Sequence, residues 1–294
     1  MNPICEECAK VQGDVSIVMP AFRAQATIAD AVQSVLAQTH TQWELIVVAD
    51  DEADYRAILA ARGLDDPRIR YLATGRTGSG SPPARNIGLD AARYRFSAIL
   101  DADDRFHPEK LQRAVAVLSD YGIVSTALTV TDPDHRPLRH VAAGEDRELP
   151  AAGYKFVNFS MDSMLVYDRS RADPRFDPGL PCLTDLDFLL KLFAGNRSCF
   201  HLGTPLHDYV KQPLSVSNKP GASARMAATK RLMLERLEAG FYSMAAPDAA
   251  SGFRRFLEIS LDAEQAYDAA RAANPDLLFE DHLEPRLATA NVGP

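Results

Sequence analysis

Phe96 to Asp104 reads FSAILDADD. It is a short apolar run that stops abruptly in acid. An uninterrupted apolar run of this length, closed by polar residues, fits a strand buried on both faces. Similar runs lie at Val15 to Met19 (VSIVM), Leu45 to Ala49 (LIVVA) and Ile69 to Ala73. Between and beyond them the spacing predicts helices over Ala26 to Gln38, Asp54 to Arg62, Pro83 to Arg93 and Pro108 to Ser119. The last has proline near its first turn, where a missing N–H costs nothing. Strands of this kind alternating with helices imply an α/β protein with a mostly parallel sheet flanked by helices. Ligands of such sheets bind beyond the carboxyl ends of the strands, so the acids after FSAIL are candidate site residues.

Past residue 120 the alternation loosens. Ile123 to Val130 and Ser163 to Tyr167 read as further strands, with Asp132 to Pro150 between them as a loop rich in Pro, Asp and Arg. A helix over Thr184 to Ala194 and a short strand at Cys199 to Leu202 follow. From Ala222 onward the chain reads as helices broken near Pro247 and Pro275. The stretch Gly75 to Pro83 reads as a flexible loop.

The 294 residues, 46% hydrophobic and 24% charged, can bury one full core plus an appendage. A net charge of -8 repels phosphate backbones and disfavours nucleic acid as a partner, although one metal ion can reverse the charge locally. Four cysteines make no disulfide scaffold and suggest a reducing compartment. Cys5 and Cys8 form a lone C-x-x-C without the second pair that structural zinc needs. Met1 to Gly13 has no apolar run of signal-peptide type, and no stretch approaches the ~18 apolar residues that would span a bilayer. A cytoplasmic protein is the plain expectation.

If the chain stays extended after FSAIL, Asp101 and Asp103 point to one side and Ala102 to the other. Paired carboxylates suit Mg²⁺ or Mn²⁺, with positions left for phosphate oxygens. Such an ion would stabilise a departing diphosphate. The competing reading is a solvated acidic turn.

Over roughly its first 215 residues the chain resembles glycosyltransferase family 2, inverting enzymes with the GT-A fold, a Rossmann-like nucleotide-diphospho-sugar transferase architecture. The resemblance is carried by Val15 to Ala21 (VSIVMPA), Glu44 to Asp54 (ELIVVADDEAD), Ala84 to Gly88 (ARNIG), Leu100 to Asp104 (LDADD) and Phe176 to Leu192 (FDPGLPCLTDLDFLLKL), in the family's order. It implies an N-terminal tail at 1–13, a catalytic domain over 14–215 and a helical C-terminal region over 216–294. It further implies transfer of a sugar from a nucleotide diphosphate donor, a uridine diphosphate sugar, with inversion. The acceptor would be a saccharide or a lipid-linked hydroxyl.

By the same resemblance Asp50 would accept a hydrogen bond from the nucleotide base, Asp101 would approach the ribose and Asp103 would hold the metal. Pro20 and Arg85 would lie along the donor. The turn Ala49-Asp50-Asp51-Glu52 departs from the family's usual paired aspartates and small residue, which leaves the base open. An inverting transfer needs a carboxylate that takes the acceptor's proton. Asp185 matches that position, with Thr184 where the family has Glu. Thr184 could also cap the helix in a box with Asp187, and Asp187 is a second candidate for substrate contact. Two positions apart on a helix, Asp185 and Asp187 face different ways.

His207 is a candidate third metal ligand, against the commoner structural role of a lone histidine, and Lys211 a candidate diphosphate contact. Met226, Met233, Leu237 and Phe241 recur at helical spacing among Arg225, Lys230, Arg231 and Arg236. They read as a face packed on the catalytic domain or on a second subunit. The sharper alternative is a peripheral membrane helix on the cytoplasmic face. Two rival functions stay open. A sugar-phosphate nucleotidyltransferase would carry a Gly-rich basic segment, which Pro20 to Thr27 (PAFRAQAT) lacks; an inactive nucleotide-sugar-binding module is kept alive by Thr184.

Overall fold

The computed structural model describes residues 13–159, 164–211 and 221–290; Cys5, Cys8 and Ser163 lie outside them. The parallel half is built from β1 (Val15–Ala21), α1 (Ile28–Leu36), β2 (Trp43–Ala49), α2 (Tyr55–Ala60), β3 (Ile69–Ala73), α3 (Ser81–Ala91) and β4 (Phe96–Ile99). Next come β5 (Arg105–Phe106), α4 (Lys110–Tyr121), β6 (Ile123–Thr131), β7 (Pro137–Val141), β8 (Arg147–Pro150), α5 (Tyr154–Val157), β9 (Val166–Asp168), α6 (Thr184–Leu192) and β10 (Ser198–Val210). Three helices, α7 (Ala222–Glu238), α8 (Ala249–Ala273) and α9 (Phe279–Ala290), complete the described chain.

All strands join one sheet, ordered β3-β2-β1-β4-β9-β6-β10-β5, with β7 on β6 and β8 on β10. The first four are parallel, and β9 runs antiparallel to both β4 and β6. Side chains alternate between faces, as the strand period requires. Val15, Ile17 and Met19 enter a core shared with α1, α2 and α4, whereas Val18 enters the core beneath α3, α6 and the C-terminal helices. That second core is continuous from Leu89 through Leu189 to Phe253 and Leu283, so α7 to α9 pack directly on the sheet-covering layer. Met233 and Leu237 are buried there, as the packed-face reading expects, while Phe241 stays 55% exposed.

The structure corrects two sequence expectations. Asp132 to Pro150 is not all loop, because it contains the polar edge strands β7 and β8. The short strand expected at Cys199 to Leu202 runs on to Val210, with register shifts on either side of Pro205 against β6. His207 is therefore inside a strand rather than beyond one.

Helix α3 sits unusually close to β1. A Cβ at Gly88 would lie 2.3 Å from Val18 Cγ1, so only glycine lets the helix approach this far. Gly88→Ala is expected to cost about 1–3 kcal/mol through overpacking, lowering Tm by roughly 3–8 °C in a calorimetric scan. Gly153→Ala, where a Cβ meets nothing within 4 Å, is the control and is expected to leave Tm nearly unchanged.

Candidate active site

A cleft of about 690 Å³ opens at the carboxyl ends of β1, β2 and β4, and Pro20, Asp50, Arg85, Asp101 and Asp103 line it. The chain does not stay extended after β4. Asp104 N–H donates to the Asp101 carbonyl at 3.0 Å, closing a four-residue turn around Ala102 and Asp103. Asp101 and Asp103 thus reach the cleft from a turn, which corrects the expectation of strand alternation.

The second wall is tied together by carboxylates at the end of β2. Asp50 is buried and accepts from Thr74 Oγ1 (2.8 Å), Ser79 N–H (2.9 Å) and Gly80 N–H (2.7 Å). Its oxygens therefore organise residues 74–80, most of the stretch Gly75 to Pro83 read as a flexible loop from sequence; Ser81 to Pro83 instead open α3. Gly80 adopts φ +99° there, a region that favours glycine. Asp51 accepts from Arg23 N–H at 2.6 Å and from the Tyr55 hydroxyl at 3.0 Å. This holds Arg23 at φ +53°, a left-handed conformation uncommon for a non-glycine residue and frequent at functional sites.

Each polar residue of ARNIG has a separate task. Arg85 is buried and pairs through Nη2 with both oxygens of Asp101, at 2.7 and 2.9 Å; its Nε has no hydrogen-bond partner within the protein. Burial opposes the Arg85 charge, but Asp101 beside it, with Asp185 and Asp104 farther out, raises its pKa above the ordinary arginine value. Asn86 exchanges two hydrogen bonds with the backbone of Phe176, at 2.9 and 2.8 Å. Phe176 stacks on Phe188 with ring centroids 4.1 Å apart and lies 5.0 Å beneath the Arg85 guanidinium. The segment leading into α6 is thereby docked on α3, which brings Asp185 within electrostatic reach of Arg85.

The helix start differs from the expected capping box. Leu183, at φ +55°, occupies the cap position, and no side chain caps the helix. Asp187 is corrected as a substrate contact. It is fully buried and accepts from Arg236 Nη1 (3.0 Å) and the Tyr242 hydroxyl (2.8 Å). Lys191 meets its second oxygen as an ion pair at 2.5 Å. Asp187 therefore anchors α7 and the chain after it.

His207 is corrected as a metal ligand. It is buried, with Nε2 3.1 Å from Asp104 Oδ2 and Nδ1 3.0 Å from Lys110 Nζ. Both ring nitrogens are engaged inside the protein. Burial, then Lys110 and His107, push its pKa well down, so the imidazole is neutral. Burial also drives Lys110 down to about 7, against the pull of Asp104. Burial followed by Asp103 and Asp101 drives Asp104 well up.

Among the described residues no three His, Cys, Asp or Glu side chains converge on one point. Asp103 lines the cleft beside Asp101, which Arg85 pairs. One carboxylate with substrate phosphates and water completing the shell is a usual Mg²⁺ arrangement, so the residues present fit a hard divalent ion. Lys211 is paired with Glu280 of α9 at 2.8 Å, away from the role expected of it. Sequence reading missed Phe22 and Arg23, which also line the cleft, and Lys110. Lys110 could have been found, because it shares the apolar face of α4 with Ala114 and Leu118, at four-residue spacing.

Residues 16–170 match the model of glycosyl transferase family 2. The putative teichuronic acid biosynthesis glycosyltransferase TuaG of Bacillus subtilis (strain 168) is 36% identical over 227 residues, covering 76% of this chain and 89% of TuaG. The UDP-Glc:alpha-D-GlcNAc-diphosphoundecaprenol beta-1,3-glucosyltransferase WfgD of Escherichia coli is 38% identical over 104 residues, 35% of this chain and 40% of WfgD. The match thus spans about two-fifths of that relative. In the solved structures, S. aureus TarS 1-349 in complex with UDP-GlcNAc superposes with a TM-score of 0.69 at 15% identity, over 94% of this chain and 79% of TarS 1-349. That likeness shows the GT-A fold. The chain belongs to glycosyltransferase family 2.

Proposed function

We propose that the chain transfers a sugar from a UDP-sugar to an acceptor hydroxyl with inversion, assisted by Mn²⁺ or Mg²⁺. The observation that carries this reading is the turn at the end of β4, which presents Asp103 to a cleft already walled by Asp50 and by the Arg85–Asp101 pair. The uridine diphosphate assignment is supported by the donors in the WfgD and TarS names. The acceptor class is a saccharide hydroxyl, with the lipid diphosphate in the WfgD name as the nearest model. Residues 14–215 form the catalytic unit in this reading.

Pro20 and Asp50 flank the nucleoside, Asp50 chiefly by fixing the loop that closes over it. Arg85 holds Asp101 toward the ribose, and its unpartnered Nε is a buried donor for a ligand oxygen. Asp103 would hold the divalent ion, which when bound stabilises negative charge on the leaving diphosphate. Asp185 takes the proton from the acceptor hydroxyl at a carboxylate oxygen as that hydroxyl attacks the anomeric carbon from the face opposite the diphosphate. Asp185 stands in the first turn of α6, at the positive end of that helix.

Asp185→Asn is expected to lower kcat by about 10²–10⁴-fold, the usual worth of a general base. It should leave the affinity for UDP with Mn²⁺ unchanged. Full transfer by this variant would remove Asp185 from the reaction. Asp103→Asn is expected to lower transfer by about 100-fold or more and to abolish the extra thermal stabilisation that Mn²⁺ adds to UDP. Chelation of wild type with EDTA should reproduce the Asp103→Asn result and added Mn²⁺ should reverse it. Pyrophosphate release from UTP and a sugar phosphate would instead identify a nucleotidyltransferase.

A further inference from the structure

The four-residue turn that carries Asp103 is held at both ends by groups from elsewhere in the fold. At one end Arg85 grips Asp101. At the other, Asp104 is 2% exposed and is held by groups remote in sequence. Val210 N–H donates to its Oδ1 at 2.9 Å, and His207 contacts its Oδ2. Behind the imidazole, Lys110 Nζ reaches Nδ1 and donates to the Met164 carbonyl at 3.2 Å. Phe106 closes the assembly, its ring 5.4 Å from the His207 ring and 4.5 Å from Lys110 Nζ.

A buried polar chain of this kind adds little stability over apolar residues of the same volume. What it does supply is direction. The imidazole passes the hold of α4, through β10, to the last residue of the turn. No member other than Asp104 belongs to the turn, and Lys110 and His207 do not line the cleft.

We propose that Lys110 and His207 are positioning residues for the donor: by clamping Asp104 they keep the Asp101–Asp104 turn in the one conformation that presents Asp103 to the metal and diphosphate. This rests on the metal-assisted transfer argued above. A ligand that binds one conformation has its apparent affinity reduced by the fraction of time that conformation is absent. Loosening the clamp therefore weakens the response to metal specifically. Changes to groups that orient a metal ligand typically cost about 10–100-fold in metal affinity.

The test is calorimetric titration of UDP into wild type, Lys110→Met and His207→Gln at a series of Mn²⁺ concentrations. The readout is the Mn²⁺ concentration giving half of the full gain in UDP affinity. Both variants are expected to raise that concentration by about ten-fold or more. A loss of packing alone would lower Tm without moving it. His207→Gln keeps an amide within reach of Asp104 and is the milder change, so it decides the matter if Lys110→Met does not fold. Wild type that responds to Mn²⁺, with a folded variant responding at the same concentration, overturns the inference alone. Wild type that binds UDP identically with and without Mn²⁺ overturns the metal-assisted reading, and this inference with it.

Discussion

Burying the Asp104 carboxylate would cost several kcal/mol if it were left unpaired. The protein meets that cost with contacts from β10 and, through His207, from α4. Those contacts exist because β5, which directly follows Asp104, pairs antiparallel with β10, His207 opposite Phe106, and the long strand Ser198–Val210 reaches that far. The mixed half of the sheet is thereby made to support the parallel half at the cleft. Removing one member leaves a buried polar group without its partner, so the chain is also a point of vulnerability.

The remaining cleft follows the same logic, in which a side chain at a strand end is set by a partner far away in sequence. Asp50 gathers a glycine-rich loop, Asn86 brings in the segment before α6, and Gly88 lets α3 approach closely enough for both to work. Behind α6, Asp187 ties the C-terminal helices to the helix that carries Asp185. The orientation of α6 thus depends on α7 and on the residues following it. Of the non-glycine residues in the left-handed region, Arg23 lines the cleft and Leu183 opens α6, where local strain is tolerated because neighbouring contacts fix it.

Much of this was legible in the sequence, for definite reasons. Strands β1, β2 and β4 are covered on both faces, so burial writes them as unbroken apolar runs. Strands β7 and β8 (PLRHV and RELP) are mostly exposed and carry no such signal, as edge strands often do not. Gly203 and Pro205 look like the end of a strand, and nothing local reveals that β10 resumes after them. Asp101 and Asp103 were found by their place after a strand, although their geometry is that of a turn. Helical spacing separated Asp185 from Asp187, but the burial of Asp187 depends on Arg236 and Tyr242, about fifty residues away. His207 was misread because a buried ion-pair relay and a metal site draw on the same residue types.

The most direct measurement is a crystal structure of the chain with UDP and Mn²⁺. The account predicts the diphosphate in the cleft with the ion on Asp103, and the Asp104–His207 contact retained. It is contradicted if the nucleotide binds elsewhere, or if Asp103 faces bulk solvent with no ion beside it.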